Sequence, residues 1–98
     1  MSEPTITRED GASKGRYVAR TEGVDAEAEL TYSRTSPTLI IADHTEVPDA
    51  FRGQGMGRRL VARMVEDARK EGFKVYALCP FVNAERQKHA DWADVFQS

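Results

Sequence analysis

The chain has 98 residues, of which 40% are apolar and 31% charged, and its formal net charge is −2. This length fits one domain, residues 1–98, and leaves no room for a second hydrophobic core. The composition excludes a disordered chain, and the near-neutral charge argues against general nucleic-acid binding because no long-range field attracts a polyanion.

Signals for export, crosslinking or membrane insertion are missing from the sequence. Residues 1–4 do not form the basic segment that precedes an apolar stretch in a secretory signal, and apolar runs such as 39–42 are far too short to span a membrane. The one cysteine, Cys79, rules out an internal disulfide. We therefore predict a cytoplasmic protein without a membrane partner, for which a monomer is plausible.

Strand-like alternation dominates the first half of the chain. The predicted strands are residues 5–9, 16–21, 27–34 and 38–47, separated by turn-rich segments. In the third, Ala28, Leu30 and Tyr32 share one face while polar residues occupy the other, which is typical of a half-buried antiparallel strand. The fourth is apolar on both faces in its middle, which predicts a central place in the sheet.

The apolar period changes to a helical one in the second half. A helix is predicted from Met56, with Gly72 in the usual terminating position. Residues 73–79 form a fifth predicted strand that Pro80 stops, 83–89 a short helix and 91–96 a last turn. The fold class is therefore α+β, with a mostly antiparallel five-stranded sheet and two to three helices.

A glycine-rich turn joins the fourth predicted strand to the helix. Its glycines and the residues between them are Gly53, Gln54, Gly55, Met56 and Gly57. Glycines at a helix start let successive N–H groups converge on one anion, and the helix dipole favours negative charge there. The arginines that flank the turn are Arg52, Arg58 and Arg59. This pattern favours a diphosphate ligand.

The spacing of this turn distinguishes between diphosphate ligands. A nucleotide-triphosphate loop requires Lys and Ser or Thr after its second glycine, and a dinucleotide loop starting at Gly53 requires glycine where Arg58 stands. The sequence fits a third pattern, Arg-x-x-Gly-x-Gly after a strand that ends in Val-Pro. The alternative is a tight connection that binds nothing, which would leave the flanking arginines unexplained.

The segment 46–57 resembles the acetyl-CoA-binding motif of the GNAT N-acetyltransferase superfamily. Together with Tyr32-Ser33-Arg34, His44-Thr45-Glu46-Val47 and Cys79-Pro80-Phe81, it resembles a subfamily of minimal GNAT-like proteins over residues 5–96. The resemblance implies an acetyl-CoA cleft between splayed fourth and fifth strands, with no metal. The cofactor-binding residues it implies are Val47, Arg52, Gly53, Gln54, Gly55, Met56, Gly57, Arg58 and Asn83.

Three side chains are candidates for catalysis. Period-two geometry puts His44 and Glu46 on one face of their strand, where either would serve as general base. The ordinary alternatives are a hydrogen-bonded histidine and a solvent-facing glutamate. Cys79 ends the strand beside the implied cleft and would donate a proton to the departing thiolate or accept the acetyl group as nucleophile. The alternative for Cys79 is a small buried apolar residue.

The sequence departs from the GNAT pattern in two ways. Residues 83–89 contain no tyrosine to act as general acid, which shifts weight to Cys79, and no helical N-terminal segment covers the acceptor site. The groove would suit a protein terminus, a lysine side chain or a small polyamine. We therefore predict an acetyl-CoA-dependent N-acetyltransferase; the alternatives are a non-catalytic or regulatory coenzyme A-binding module and an interaction domain. A metal site is disfavoured because Cys79, His44 and His89 lack paired spacing.

Overall fold

The structure, a computed structural model, describes residues 4–51 and 53–97. Its elements are β1 (Thr5–Asp10), β2 (Lys14–Arg20), β3 (Ala28–Ser36), β4 (Leu39–Glu46), α1 (Met56–Glu71), β5 (Lys74–Ala77), α2 (Pro80–Lys88) and β6 (Phe96–Gln97). Two short 3-10 helices lie at Asp49–Phe51 and Ala90–Trp92. The strands form one sheet in chain order, antiparallel from β1 to β4 and parallel from β4 to β6. The predicted α+β class is confirmed.

Two details of the predicted architecture are wrong. The sheet has six strands rather than five, because Phe96 and Gln97 pair with Val75 and Tyr76 at its edge. A two-residue strand is too short to show alternation in the sequence. The second helix begins at Pro80 rather than at residue 83, since a proline is favoured at the first helical position, where its missing N–H costs nothing.

The hydrophobic core lies between the sheet and the two helices. Residues that alternate inward along the strands, among them Leu30, Ile40 and Val75, join one buried cluster with residues of α1 and α2. The predicted helix ends as expected: Gly72 adopts a left-handed φ of +79° and its N–H donates to the Ala68 carbonyl at 2.8 Å. No helix in the described part of the chain combines the length and apolar character needed to cross a membrane.

A charged side chain ties the edge strand β1 to α1. The Arg8 guanidinium lies 5.6–5.8 Å from the ring centroids of Tyr17, Tyr32 and Phe73. It donates to Tyr32 Oη at 3.1 Å and pairs with Asp67 at 3.5 Å. Tyr17 Oη donates to the same Asp67 carboxylate at 2.9 Å, and burial raises the pKa of Tyr17. The network fixes β1 although this strand pairs on one side only.

The pairing of β4 with β5 stops halfway along β4. Their register runs from Leu39–Lys74 to Ala42–Ala77, and the Cys79 N–H then donates to the Ala42 carbonyl at 2.9 Å. Beyond this point β4 continues to Glu46 while the other chain segment turns into α2. The two strands therefore diverge, and within residues 4–51 and 53–97 no strand pairs with β4 on its β5 side from residue 43 to 46.

A β-bulge at Asp43 changes the direction of the side chains that follow it. Tyr32 pairs with Ala42 but Thr31 pairs with His44, so Asp43 is an extra residue in β4. Thr45 consequently lies opposite buried Leu30, on the sheet face that the helices cover. His44 and Glu46, two residues apart, lie on the opposite face. The pairing of Glu46 with Glu29 agrees with this, because Glu29 precedes the inward-facing Leu30 in β3.

Candidate active site

A cleft of about 590 Å³ opens between the glycine turn, the end of β4 and one face of α2. It is lined by Val47, Phe51, Gly53, Gly55, Met56, Gly57, Arg58, Phe81, Glu85, Lys88 and His89. Six of these residues belong to the predicted cofactor-binding set. Of the rest of that set, Gln54 and Asn83 lie outside the lining, and Arg52 lies outside the described residues.

The backbone of the turn depends on its glycines. Gly53 and Gly55 have φ values of +80° and +64°, a region that residues with a Cβ seldom adopt. Gly57 is needed for a different reason, because a Cβ there would lie 2.6 Å from the Phe81 ring. The first two glycines shape the turn, and the third lets α1 and α2 approach closely beside the cleft.

The first turn of α1 supplies hydrogen-bond donors to the cleft. The helical ladder begins where the Arg59 N–H donates to the Gly55 carbonyl at 3.1 Å. The N–H groups from Gly55 to Arg58 come before that bond and have no intrahelical acceptor. The Gln54 N–H differs, because it donates to the Phe51 carbonyl at 3.1 Å. Among the described residues at the start of α1, the amides without a backbone acceptor therefore run from residue 55 to 58.

One stripe of α2 forms the opposite wall. Phe81, Glu85 and Lys88 are four and three positions apart along the chain, which is the spacing of a single helix face, and His89 follows directly. Asn83 lies off this stripe, and its Oδ1 accepts a hydrogen bond from Arg86 Nε at 2.8 Å. The resemblance implied a cofactor contact for Asn83, whereas the α2 residues that line the cleft are Phe81, Glu85 and Lys88, followed by His89 just after the helix.

Cys79 lies at the start of α2, where β4 and β5 diverge. It is 4% exposed, and its Sγ lies 3.4 Å from Thr45 Oγ1. Thr45 was not predicted as a site residue because the bulge that turns it toward Cys79 leaves no trace in the residue pattern. The structure brings together Cys79 and Thr45, and it does not bring together Cys79 and His44.

The sheet face without helices, here called the open face, is acidic near the end of β4. It carries Glu29, Asp43, His44 and Glu46, and the two glutamates are direct cross-strand partners. Like charges opposite each other destabilise a strand pair. Arg16 Nη1 donates to Glu29 at 2.8 Å and so reduces the repulsion between the two glutamates. Ser33 Oγ donates to Asp43 at 2.6 Å. His44 and Glu46 are both exposed.

Comparisons with known proteins agree with this geometry. The family described as "GCN5-related N-acetyl-transferase" matches residues 16–95. The chain belongs to this family. It is 27% identical to human Protein NATD1 over 79% of this chain and 68% of that protein, and 28% identical to Protein NATD1 of Xenopus tropicalis over 80% and 72%.

The family assignment extends to solved structures. The solution structure of a GCN5-like protein from Staphylococcus aureus superposes with a TM-score of 0.73 at 33% identity, covering 100% of this chain and 92% of that one. Both the family and the fold support acetyl transfer as the general chemistry of this GCN5-related domain. Acetyl-CoA is the cosubstrate that such chemistry implies.

Proposed function

We propose that this protein transfers an acetyl group from acetyl-CoA to an amine. The observation that carries the proposal is the cleft wall formed by the turn and by the first turn of α1. Four N–H groups without intrahelical acceptors line it from Gly55 to Arg58, in the place where the helix dipole is positive. A diphosphate accepts several such bonds at once.

The free edge of β4 offers a path for the rest of the cofactor. From residue 43 to 46 this strand has no pairing with β5, so its edge carries backbone donors and acceptors for the pantetheine amides. Val47, at the end of this edge, lines the cleft and is 38% exposed. A cofactor held at the turn would thus extend along β4 and bring its thioester toward Cys79.

The acceptor amine approaches in this proposal from the open face. Asp43 and Glu46 supply negative charge that attracts an ammonium group, and His44 or Glu46 accepts a proton as the amine attacks. A face without helices suits an exposed terminus, a lysine side chain or a small polyamine. The amine nitrogen bonds to the acetyl carbon as the carbon–sulfur bond of the thioester breaks.

Cys79 has two roles compatible with its position. As general acid, its thiol gives a proton to the departing coenzyme A thiolate. As nucleophile, its sulfur takes the acetyl group, releases coenzyme A and later passes the acetyl group to the amine. Thr45 Oγ1, 3.4 Å away, is a hydrogen-bond partner for the sulfur in either role.

A second candidate function is coenzyme A binding without turnover. The observation that favours it is the separation of the candidate groups, since Cys79 is 4% exposed on the helix-covered side and His44 lies on the open face. In that case the cleft would hold the cofactor, and the acceptor side would serve regulation or partner binding.

Calorimetry and two activity measurements separate these functions. We expect acetyl-CoA to bind, and thiol release to increase when a panel of terminal, lysine and polyamine substrates is added. Binding without thiol release would establish the second function, and absence of binding would overturn both. Intact mass after incubation with acetyl-CoA alone identifies an acetylated Cys79. If Cys79→Ala leaves turnover unchanged, neither of its proposed roles holds.

A further inference from the structure

Glu85 is the acidic residue among those that line the cleft, and its carboxylate is buried. Glu85 is 5% exposed and lines the cleft, and the facing wall includes the N–H groups at the start of α1 and the Arg58 side chain. A lone buried negative charge in an anion-binding cleft would oppose the ligand and carry a desolvation penalty. Its presence calls for a positively charged partner in the cleft.

The buried carboxylates of Asp67 and Glu85 differ in their charged partners. These two are the buried acidic residues in the described part of the chain. The Asp67 carboxylate is shared by Tyr17, Arg8 and Arg63 and has no role in the cleft. Glu85 pairs instead with Lys88, whose Nζ lies 3.1 Å from Glu85 Oε2. Both members of this pair line the cleft.

We propose that Lys88 binds a phosphate group of the coenzyme A ligand, and that Glu85 is the positioning residue that holds its ammonium in the cleft. The inference rests on the proposed function. The lysine side chain is 70% exposed, so without an anchor it would sample many rotamers. An ammonium has three donors; with one on Glu85, the others remain available to phosphate oxygens.

The end of α2 gives a second reason for a cation at this place. Lys88 is the last residue of the helix, where unpaired carbonyls and the negative end of the dipole would repel phosphate. Its charge offsets that repulsion. The ligand would then be held from two sides, by the N-terminal amides of α1 and by the cation at the C-terminal end of α2.

The test compares Glu85→Gln and Lys88→Met for coenzyme A affinity by calorimetry. Loss of the phosphate contact should weaken binding about fivefold for Lys88→Met, and loss of the anchor about threefold for Glu85→Gln. The double variant should bind no more weakly than Lys88→Met alone. If Glu85 only repelled the phosphate, Glu85→Gln would instead strengthen coenzyme A binding, because it removes a negative charge near the phosphate. Unchanged or tighter binding by Glu85→Gln would overturn the positioning role.

The chain offers a matched control in the pair of Lys70 with Glu66 on α1. This pair is also intrahelical, with 3.7 Å between Lys70 Nζ and Glu66 Oε1, and both side chains are exposed. Lys70→Met and Glu66→Gln should leave coenzyme A affinity unchanged. Dephospho-coenzyme A, which lacks the 3′-phosphate, shows which phosphate group Lys88 binds. If Lys88→Met also weakens the binding of dephospho-coenzyme A, Lys88 binds the diphosphate. If Lys88→Met does not weaken it, Lys88 binds the 3′-phosphate.

Two further results keep the outcomes separate. Amide spectra of Glu85→Gln test whether this variant is folded. Lys88→Met alters an exposed side chain and tests the phosphate contact independently. If wild-type protein does not bind coenzyme A, the proposed function fails. If wild-type protein binds and both variants bind equally well, only the inference about Lys88 and Glu85 fails.

Discussion

Gly55 links the backbone of α1 to the chemistry of the cleft. Its φ of +64° is unfavourable for alanine, and its amide is the first of the four donors. We expect Gly55→Ala to lower the free energy of unfolding by about 1 kcal/mol. Coenzyme A binding should weaken about fivefold because the donors no longer converge. Urea denaturation and calorimetry measure the two effects.

The other end of the same helix supplies the control for this prediction. Gly72 has a φ of +79° and an added Cβ there would meet nothing within 4 Å, so Gly72→Ala introduces similar strain. It should lower stability by a similar amount and leave coenzyme A affinity unchanged, since it lies outside the cleft. If Gly55→Ala and Gly72→Ala lost the same affinity, the loss would come from lower stability and not from the geometry of the turn.

The sequence predicted some residues that line the cleft and missed others for identifiable reasons. The glycine spacing indicated the turn directly. Glu85 and Lys88 were missed because Pro80 was interpreted as the end of a strand rather than the start of a helix. With that helix placed correctly, the stripe from residue 81 to 89 is visible in the sequence. The bulge at Asp43 is different, since it depends on pairing with β3 and has no local signature.

The edge strand β1 depends on the Arg8 network for its attachment to α1. The Arg8 side chain is 13% exposed and pairs with buried Asp67, so Arg8→Leu leaves a carboxylate with fewer partners. We expect a loss of about 2 kcal/mol in the free energy of unfolding, measured with urea. Coenzyme A affinity should not change in the folded protein, because Arg8 does not line the cleft.

Arg20 provides the matched arginine for this comparison. It pairs with Glu27 at 2.5 Å, but its side chain is 53% exposed. Arg20→Leu should cost less than about 0.5 kcal/mol, as is usual for exposed ion pairs. If the two arginine variants were equally stable, the contacts of Arg8 with the aromatic rings and Asp67 would not hold β1 in place.

Element boundaries were predictable where the residue pattern was long and regular. The inward positions Ala28, Leu30 and Tyr32 are buried as predicted, and α1 begins and ends where its period and Gly72 indicated. The sixth strand was not predicted because its two residues acquire their partners only when α2 returns the chain to the edge of β5. Tertiary context, rather than local propensity, makes that strand.

For the whole molecule, acid should reduce stability through Asp10. Hydrogen bonds from Tyr32 and Arg34 lower the pKa of Asp10 below its ordinary value. A carboxylate with a lower pKa in the folded state stabilises the protein above its unfolded pKa, near 4, and this contribution is lost as the pH falls through the folded value. Asp10→Asn should therefore reduce stability at pH 7 more than at pH 2. A constant difference across this range would contradict the assignment.

Function in the whole molecule depends, in this proposal, on the amides from Gly55 to Arg58 binding the diphosphate of acetyl-CoA. Titration of nitrogen-15-labelled protein with acetyl-CoA, followed by amide chemical shifts, tests it most directly. We predict large downfield proton shifts for Gly55, Met56, Gly57 and Arg58, with a smaller shift for Gln54, whose N–H is held by the Phe51 carbonyl. Binding that leaves these four amides unshifted, or no binding, would contradict the account.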